Sequence, residues 1–489
     1  MPGSATEICA LAITEDSAFG IEVHSIDYIE HSERHGKFRN QAPFWFIANL
    51  QFLSISIGFI GPANGLSFGW TSVAGILGIM FGTLFMAFHA TQGPVLGLPQ
   101  MIQSRAQFGY RGVIVPLVGA LVNFGGMNVV CALLIMGGLH NLFGWNPYWV
   151  LALTALPSLI LALYGYNWLH RVFKLLFWVS LPLIGILTVA VAAGLVPHSV
   201  PVAPAFSAVA FGMQFAAAAS YNIAFAPYVS DYSRYLKHDT NASSLIAVVF
   251  VGASSSASWL IVLGAWLATR LSVTDPLVAL SSAGNAIWHG FGTVLAIDSV
   301  LVLLAVVSID TYSGMLTLVT AFDSFRPIKS TKAIRAVFVT VMTALWVLVT
   351  LIGGQNAIAV LTLVLTIILY MLVPWTAVNL VDFFFVRRGN YMIRDLFDPR
   401  GVYGRWAWRG LVAYALGWLA IMPFAVLPDL WTGSLAARMG GVDIGWLVGL
   451  LVAGASYYLF SKSITMNMEQ IAAFAKGNAS ATHIVGAGE

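Results

Sequence analysis

The sequence has few charged residues and almost no cysteine. Only 9% of its 489 residues are Asp, Glu, Lys or Arg, whereas a soluble domain usually carries about a quarter. This number of charges is too small to cover a large soluble core, so that class of protein is excluded. Cys9 precedes the first apolar segment and Cys131 lies inside a later one, so we expect no disulfide framework.

Patterns that mark catalysis are also missing. We find no phosphate-binding loop, no zinc pattern and no nucleophile elbow, which argues against an ATP-driven pump and a membrane hydrolase. The first ~40 residues have no basic segment leading into a short apolar core, so a cleaved signal peptide is not expected. We therefore predict neither an enzyme nor a cofactor, no firm metal site and no nucleic-acid partner.

Apolar residues dominate the chain instead. They make up 59% of it, and the mean hydropathy is +0.84. Because a membrane-spanning helix needs ~20 predominantly apolar residues, the sequence predicts an all-α polytopic membrane protein with twelve spans. These spans cover residues 43–64, 71–91, 113–137, 147–166, 172–195, 207–230, 243–269, 294–321, 333–353, 358–385, 408–428 and 443–461. The more polar segments 92–112 and 275–290 are typical of short interfacial helices.

The basic residues predict the orientation. If the N-terminus is inside and the spans alternate, all of the 23 Lys and Arg residues except Arg270 and Arg438 fall on the inner side. This asymmetry follows the positive-inside rule, and a missed span would have scrambled it. We therefore expect a multi-pass protein of the plasma (inner) membrane with both termini cytoplasmic, in tails 1–42 and 462–489.

Two spans at corresponding places carry helix breakers and polar residues. Span one contains Asn49 and Gln51 before Pro62, and span six contains Asn222 before Pro227. Interrupted helices at matching positions in two halves are the sequence pattern of a transporter site, while ordinary proline kinks are the alternative. An odd number of spans in each half makes the halves inverted, with repeats at 43–206 and 207–386 and two additional helices at 387–461.

One carboxylate lies near the middle of a span. Asp310 in span eight has Ser308 and Thr311 close by, whereas Asp298 is near the outer end. A carboxylate at mid-membrane costs ~2.5–3.5 kcal/mol on insertion scales and is by default a functional residue. Proton coupling is one role for Asp310, and a protonated side chain bonded to a neighbouring helix is the other.

A second group of charges lies at the cytoplasmic end of span six, in "YVSDYSRYL" (228–236). Asp231 and Arg234 are three residues apart and share a helix face, so they can pair. The tyrosines suit an interfacial belt. These features favour an anchor or gate over a substrate contact, and Asp382 with Arg387 and Arg388 is interpreted in the same way.

Three ordered motifs resemble the nucleobase–cation symporter family of purine/cytosine permeases and hydantoin transporters. They are "RAQFGYRG" (105–112), "APYVSDYSRYL" (226–236) and "NLVDFFFVRRGNY" (379–391). "QGPVLGLPQMIQSRAQFG" (92–109) is especially similar to the purine–cytosine permease branch. The resemblance implies a LeuT-like fold with two inverted five-helix repeats plus two helices. It also implies a midplane site between spans one, three, six and eight.

In that family a planar heterocycle lies between aromatic side chains of spans three and six, and polar groups bond its amide edge. The resemblance implies a substrate-binding role for eight residues of this chain: Asn49, Gln51, Phe124, Met127, Asn128, Tyr221, Asn222 and Phe225. Met127 stands where the family has a tryptophan. The two asparagines of span three, Asn123 and Asn128, need partners, which are either other helices or a ligand.

The resemblance further implies a coupling cation. Sodium-coupled members use span-one carbonyls with span-eight hydroxyls or amides, but Val302, Ala305 and Val306 occupy those span-eight positions. Ser308 and Thr311 lie further along span eight than these aligned positions. They would hold sodium only if the alignment were shifted. Together with Asp310, this departure favours a proton.

The sequence thus predicts a secondary active importer of a nucleobase or related planar heterocycle, with the bilayer as its environment. The alternatives are a symporter for hydantoin, allantoin, a vitamin or an amino acid, and a passive facilitator or channel. The oligomeric state stays open.

Overall fold

The computed structural model describes residues 27–464, except 35, 198–205, 272, 327, 329–330, 355 and 429. The predicted tails therefore lie mostly outside the described residues. Within the described part, nine helices are long and apolar enough to cross a membrane. A bent pair, Phe38–Asn49 with Phe52–Ala63, makes a tenth if it is one span.

The helices follow the predicted order. Spans two to five are Phe68–Ala90, Ile114–Phe143, Pro147–Tyr164 and Tyr166–Ala192. Spans seven to ten are Ala242–Arg270, Phe291–Asp323, Lys332–Ile352 and Ala357–Val381. At the positions of spans eleven and twelve, the helices Trp408–Ile421 and Gly445–Ser461 are shorter. This order is consistent with twelve spans, although the last two fall below the length of a full crossing helix.

The polar segments between spans form short helices, as predicted. After span two come Gln92–Leu96, Gln100–Gln103 and Arg105–Phe108, and before span eight comes Pro276–Ile287. A π-helical turn, Asp382–Val386, extends span ten. Between spans eleven and twelve lie a two-stranded antiparallel hairpin, Val426–Leu427 with Trp431–Thr432, and the helix Ser434–Arg438.

Both predicted breaks are present, but they differ in shape. Span one stops at Asn49 and resumes at Phe52 with a bend of 61°. Span six runs as Ala208–Ile223, then a 3₁₀ turn at Ala226–Tyr228 and a last helical turn at Val229–Ser233. Its parts stay collinear enough to count as one span. The proline at 227 sits in the first turn of the new segment, where its missing N–H is tolerated.

The spans pack in two groups of four. Span seven contacts spans one and two, and span two contacts span six; span eight contacts spans three, four and nine. Glycine allows the close approaches within the first group. A Cβ on Gly78 or Gly82 would meet the backbone of span six at Phe215 and Ala219. Spans two and six therefore lie in close backbone contact.

Candidate functional site

The hydroxyl of Tyr221 joins the two broken spans. The Gln51 Nε2 atom donates to it over 2.8 Å, and the Ser54 Oγ atom lies 2.8 Å from it. Ser54 also donates to the Asn49 carbonyl over 2.8 Å. Since one serine hydroxyl has a single proton, Ser54 accepts from Tyr221. These hydrogen bonds link Tyr221 of span six to the backbone carbonyl of Asn49 at the break of span one.

Amide side chains around this junction keep buried oxygen atoms without a partner. Among the described residues, nothing donates to Asn49 Oδ1, Gln51 Oε1 or Asn128 Oδ1. The Asn49 nitrogen donates to the Trp45 carbonyl over 3.3 Å, and the Asn128 nitrogen donates to Thr311 Oγ1 over 3.0 Å. An unpaired buried acceptor costs ~1–3 kcal/mol. These oxygens therefore suit a ligand that presents N–H groups.

Aromatic rings line the same region in a continuous series. The ring centres of Trp45 and Phe225 are 5.7 Å apart, those of Phe225 and Tyr228 are 5.6 Å apart, and those of Tyr228 and Phe124 are 5.4 Å apart. These distances fall in the range of favourable ring pairs. Met127 is buried in the core beside them. Span three thus meets the aromatic series through Phe124.

Two small cavities border these rings. Gln51, Phe225, Tyr228 and Asp310 line one of about 30 Å³. Phe124, Tyr228 and Asp231 line another of about 20 Å³. A water molecule's share of the liquid is about 30 Å³, so neither cavity admits a planar ring as it stands. The conformation is therefore closed around the predicted site.

Asp310 faces the larger of these two cavities. It is 6% exposed, and no described residue gives it a hydrogen bond or ion pair. Of the residues aligned with the sodium positions, Val306 lines the same cavity, and Val302 and Ala305 are buried. These three residues supply no side-chain oxygen, whereas Asp310 brings a carboxyl group to the cavity.

The two hydroxyls beside Asp310 already have partners. Ser308 Oγ donates back to the Leu304 carbonyl over 2.8 Å. Thr311 accepts from Asn128, as described above. Each oxygen keeps a free lone pair, so these bonds do not conflict with a sodium ion, and the assignment stays a prediction.

The remaining asparagines bind other helices. Asn222 Nδ2 donates to Thr83 of span two over 2.6 Å, and Asn123 Nδ2 donates to the Ala224 carbonyl at the break of span six over 2.8 Å. Asn222 lines neither small cavity, although its Oδ1 atom has no partner among the described residues. Asn123 thus supports the break, and the substrate role of Asn222 stays a prediction.

The end of span six that follows the break contacts neighbouring segments. Asp231 Oδ1 accepts from the backbone N–H of Gln100 over 2.9 Å. Arg234 donates to the Asp27 carbonyl and to the Tyr235 hydroxyl, each over 3.3 Å. Both residues tie span six to neighbouring segments, as an anchor or gate would.

A chain of buried polar side chains continues from there to span ten. Ser230 donates to Gln100, Gln100 to Gln92, and Gln92 to Asn379, over 2.5, 2.9 and 2.6 Å. Gln107 then donates to Asp382 over 2.6 Å. The polar segment after span two thereby connects span six to span ten.

Asp382 is the end point of this chain. It is fully buried and forms an ion pair with Arg387, while Tyr391 and Tyr457 donate to it over 2.7 and 2.8 Å. A buried charge needs this degree of pairing. In the "RAQFGYRG" segment, Arg105 pairs with Asp323 over 2.9 Å at the end of span eight. The predicted anchoring role of Asp382 and Arg387 is consistent with the first of these pairs, and the second links the segment after span two to span eight.

Sequence reasoning missed two residues that line the closed site. Tyr228 borders both small cavities, and Trp45 borders the larger one. Tyr228 directly follows Pro227, so its position after the break was the available signal. Trp45 lies one turn before Asn49 and carried no comparable signal.

Comparison with known proteins identifies the family. Residues 28–449 match the family described as permease for cytosine/purines, uracil, thiamine, allantoin. The chain belongs to this family. YxlA of Bacillus subtilis (strain 168), provisionally named a purine-cytosine permease, is 34% identical over 90% of this chain and 96% of its own length. The chain is therefore a permease, and its family is one of transporters rather than enzymes.

Two further comparisons place the permease. The purine-cytosine permease FCY2 of Saccharomyces cerevisiae is 28% identical over 48% of this chain and 46% of its own length. Among solved structures, the nucleobase-cation-symport-1 family transporter Mhp1, closed with bromovinylhydantoin bound, is similar with a TM-score of 0.68 and 18% identity over 92% of this chain and 97% of Mhp1. This similarity confirms the predicted LeuT-like fold class.

Removal of one hydroxyl tests the junction. We expect Tyr221→Phe to weaken substrate binding about fivefold to tenfold, because the loss of a hydrogen bond of about 1 kcal/mol loosens Gln51. Binding of radiolabelled substrate to the purified protein measures this. Tyr148→Phe is the control, since Tyr148 is 69% exposed and its hydroxyl has no partner among the described residues. Wild-type affinity of Tyr221→Phe would contradict the role of the junction.

Proposed function

We propose that this permease imports a cytosine- or purine-like nucleobase together with a cation, by alternating access. The observation that carries the proposal is the junction of the broken spans, where Gln51, whose amide oxygen is unpaired, lines a cavity together with Phe225 and Tyr228. The names of YxlA and FCY2 support the same substrate class.

The chemistry of the site favours a flat, neutral ring over a zwitterion. Aromatic faces bind such a ring through its apolar area, and the amide oxygens accept from its amino and ring N–H groups. Phe124 and Phe225, with Tyr221 behind the junction, supply the aromatic part. Met127 adds a polarizable contact to a ring face. Asn128 and Asn222 complete the proposed amide set.

Coupling is assigned to Asp310. A carboxyl group in a dry cavity is favoured as the neutral acid, and it releases its proton when water enters. Asp310 lines the same cavity as Gln51 and Phe225. Binding of the substrate and protonation of Asp310 therefore affect the same cavity. The proton is therefore the proposed coupling ion. Sodium held by Ser308 and Thr311 is the alternative.

Transport follows from the two packing groups. Spans one, two, six and seven rock against spans three, four, eight and nine. The outward-facing and inward-facing states differ in their affinity for substrate and cation, and this difference drives the cycle. Asp231 and Arg234 lie at the cytoplasmic mouth in this proposal and tune its opening. The repeats 43–206 and 207–386 each contribute two spans to each of these moving groups. The protein lies in the plasma membrane with both termini inside.

Uptake into proteoliposomes tests the function. With an inward proton gradient, we expect saturable accumulation of radiolabelled cytosine, adenine or hypoxanthine above the external concentration. Uracil, thiamine and allantoin serve as competitors, because the family description includes them. Uptake that only reaches equilibrium would identify a facilitator, and transport of thiamine or allantoin without any nucleobase would contradict the proposed substrate. Replacing the proton gradient with a sodium gradient separates the two ions.

A substitution at Asp310 tests coupling separately from binding. Asp310→Asn keeps the shape of the side chain but cannot cycle a proton, so we expect uphill uptake to be lost while exchange of labelled for unlabelled substrate persists. The control is Asp298→Asn, the other carboxylate of span eight, which accepts from Ser180 over 2.9 Å. Accumulation at the wild-type level by the Asp310 variant would rule out proton coupling through this residue.

A further inference from the structure

A cavity of about 360 Å³ lies away from the transport site. Its walls come from the Arg105–Phe108 helix, the loop after span ten, the start of span eleven and the end of span twelve. The positive-inside pattern assigns this side to the cytoplasm. Neither the family description nor the transport mechanism uses this cavity.

Two arginines on its wall have unused donors. Arg387 is 8% exposed, and its Nη1 atom donates to Asp382 and to Tyr457. Among the described residues, nothing accepts from its Nε or Nη2 atoms. Arg409 donates from Nε to the Phe460 carbonyl over 3.0 Å, and its two Nη atoms likewise have no acceptor in the described part of the chain. A guanidinium is built for bidentate recognition of phosphate and carboxylate oxygens.

The cavity has a positive electrostatic character. Among the described residues, no acidic residue is part of its lining. Asp382, behind it, is already bonded by Arg387, Gln107 and two tyrosines, so Arg409 has no acidic partner in the described part of the chain. Burial raises the pKa of Tyr403 to about 12, which keeps this lining hydroxyl neutral.

The start of span eleven adds to this character. The helix Trp408–Ile421 begins at the cavity with Ala407 as its cap, and no side chain accepts from its first N–H groups. Helix N-termini carry partial positive charge and bind anions. An anion that reaches Arg409 would also lie next to these N–H groups.

The cavity opens at the expected level of the lipid headgroups. Trp406 and Trp408 line it and are 53% and 56% exposed, at the beginning of a span. Exposed tryptophans at the end of a span mark the membrane interface. A ligand that arrives through the bilayer can therefore bury its acyl chains against the indoles and direct its headgroup toward Arg387 and Arg409.

We propose that this cavity binds the phosphate group of an anionic phospholipid of the cytoplasmic leaflet. Basic pockets between spans on this side of a membrane protein are suited to such headgroups. Free phosphate has the same charged oxygens but gains nothing from Trp406 and Trp408, so the two sources can be separated by experiment.

Lipid binding to the purified, delipidated full chain tests the proposal by native mass spectrometry. Phosphatidylglycerol, phosphatidylcholine and inorganic phosphate are the probes. We expect phosphatidylglycerol to bind in preference to phosphatidylcholine, and Arg409→Gln to weaken its binding about fivefold, the value of one basic side chain near the interface. Arg400→Gln is the matched control, because Arg400 lies in the loop that precedes span eleven and outside the cavity lining.

The other outcomes are decisive as well. Arg409→Lys keeps the charge and should retain most of the preference, which separates a lost contact from a misfolded loop. Equal weakening by Arg409→Gln and Arg400→Gln, or equal binding of both lipids to the wild type, would overturn the proposed site. Displacement of phosphatidylglycerol by an equal concentration of inorganic phosphate would refute the lipid as its occupant.

Discussion

Backbone polar groups cannot be left unpaired inside a membrane, and the break of span one must satisfy this constraint. Between Asn49 and Phe52 the chain leaves helical geometry in the interior of the protein. An unsatisfied backbone group there costs several kcal/mol. Ser54 supplies the Asn49 carbonyl with a donor, and Tyr221 holds Ser54 and Gln51. The opposite span thus stabilises a break that neither helix would keep alone.

The same arrangement accounts for the shape of the site. Tyr221 bonds the nitrogen of Gln51, and the oxygen of Gln51 stays unpaired. Gln51 lines a cavity together with Phe225, Tyr228 and Asp310. The cavity holds about one water molecule, so a substrate must separate the two packing groups to enter. The side chains that stabilise the closed junction are therefore those that a ligand would contact first.

Much of the fold could be predicted because its signals are local. Apolar length located the spans, the basic residues fixed their alternation, and glycine, proline and amide side chains marked both breaks. The bend of 61° in span one and the near-straight path of span six were not predictable, because they depend on which partner receives the freed backbone groups. Asn123 illustrates this: its amide supports the Ala224 carbonyl across 101 residues of sequence.

The residue types at the site were predictable from the sequence, but the direction in which each side chain points was not. Asn49, Gln51, Tyr221 and Phe225 meet at the junction, whereas Asn222 donates to Thr83 of span two. On a helix, neighbouring residues differ by about 100° in direction, so one register decides whether an amide faces a ligand or another helix. The buried chain from Ser230 to Asp382 joins three separate regions of the sequence, which are span six, the polar segment 92–112 and span ten, and no periodic pattern could have revealed it.

The central claim is that the unpaired oxygen of Gln51 recognises the substrate. Equilibrium binding of radiolabelled cytosine to purified Gln51→Leu tests it most directly. The comparison is Gln103→Leu, another buried glutamine whose oxygen has no partner among the described residues and whose nitrogen donates to the Leu98 carbonyl. The account predicts that saturable binding is lost in the Gln51 variant and kept in the Gln103 variant. Equal cytosine affinity in both variants and the wild type would contradict it.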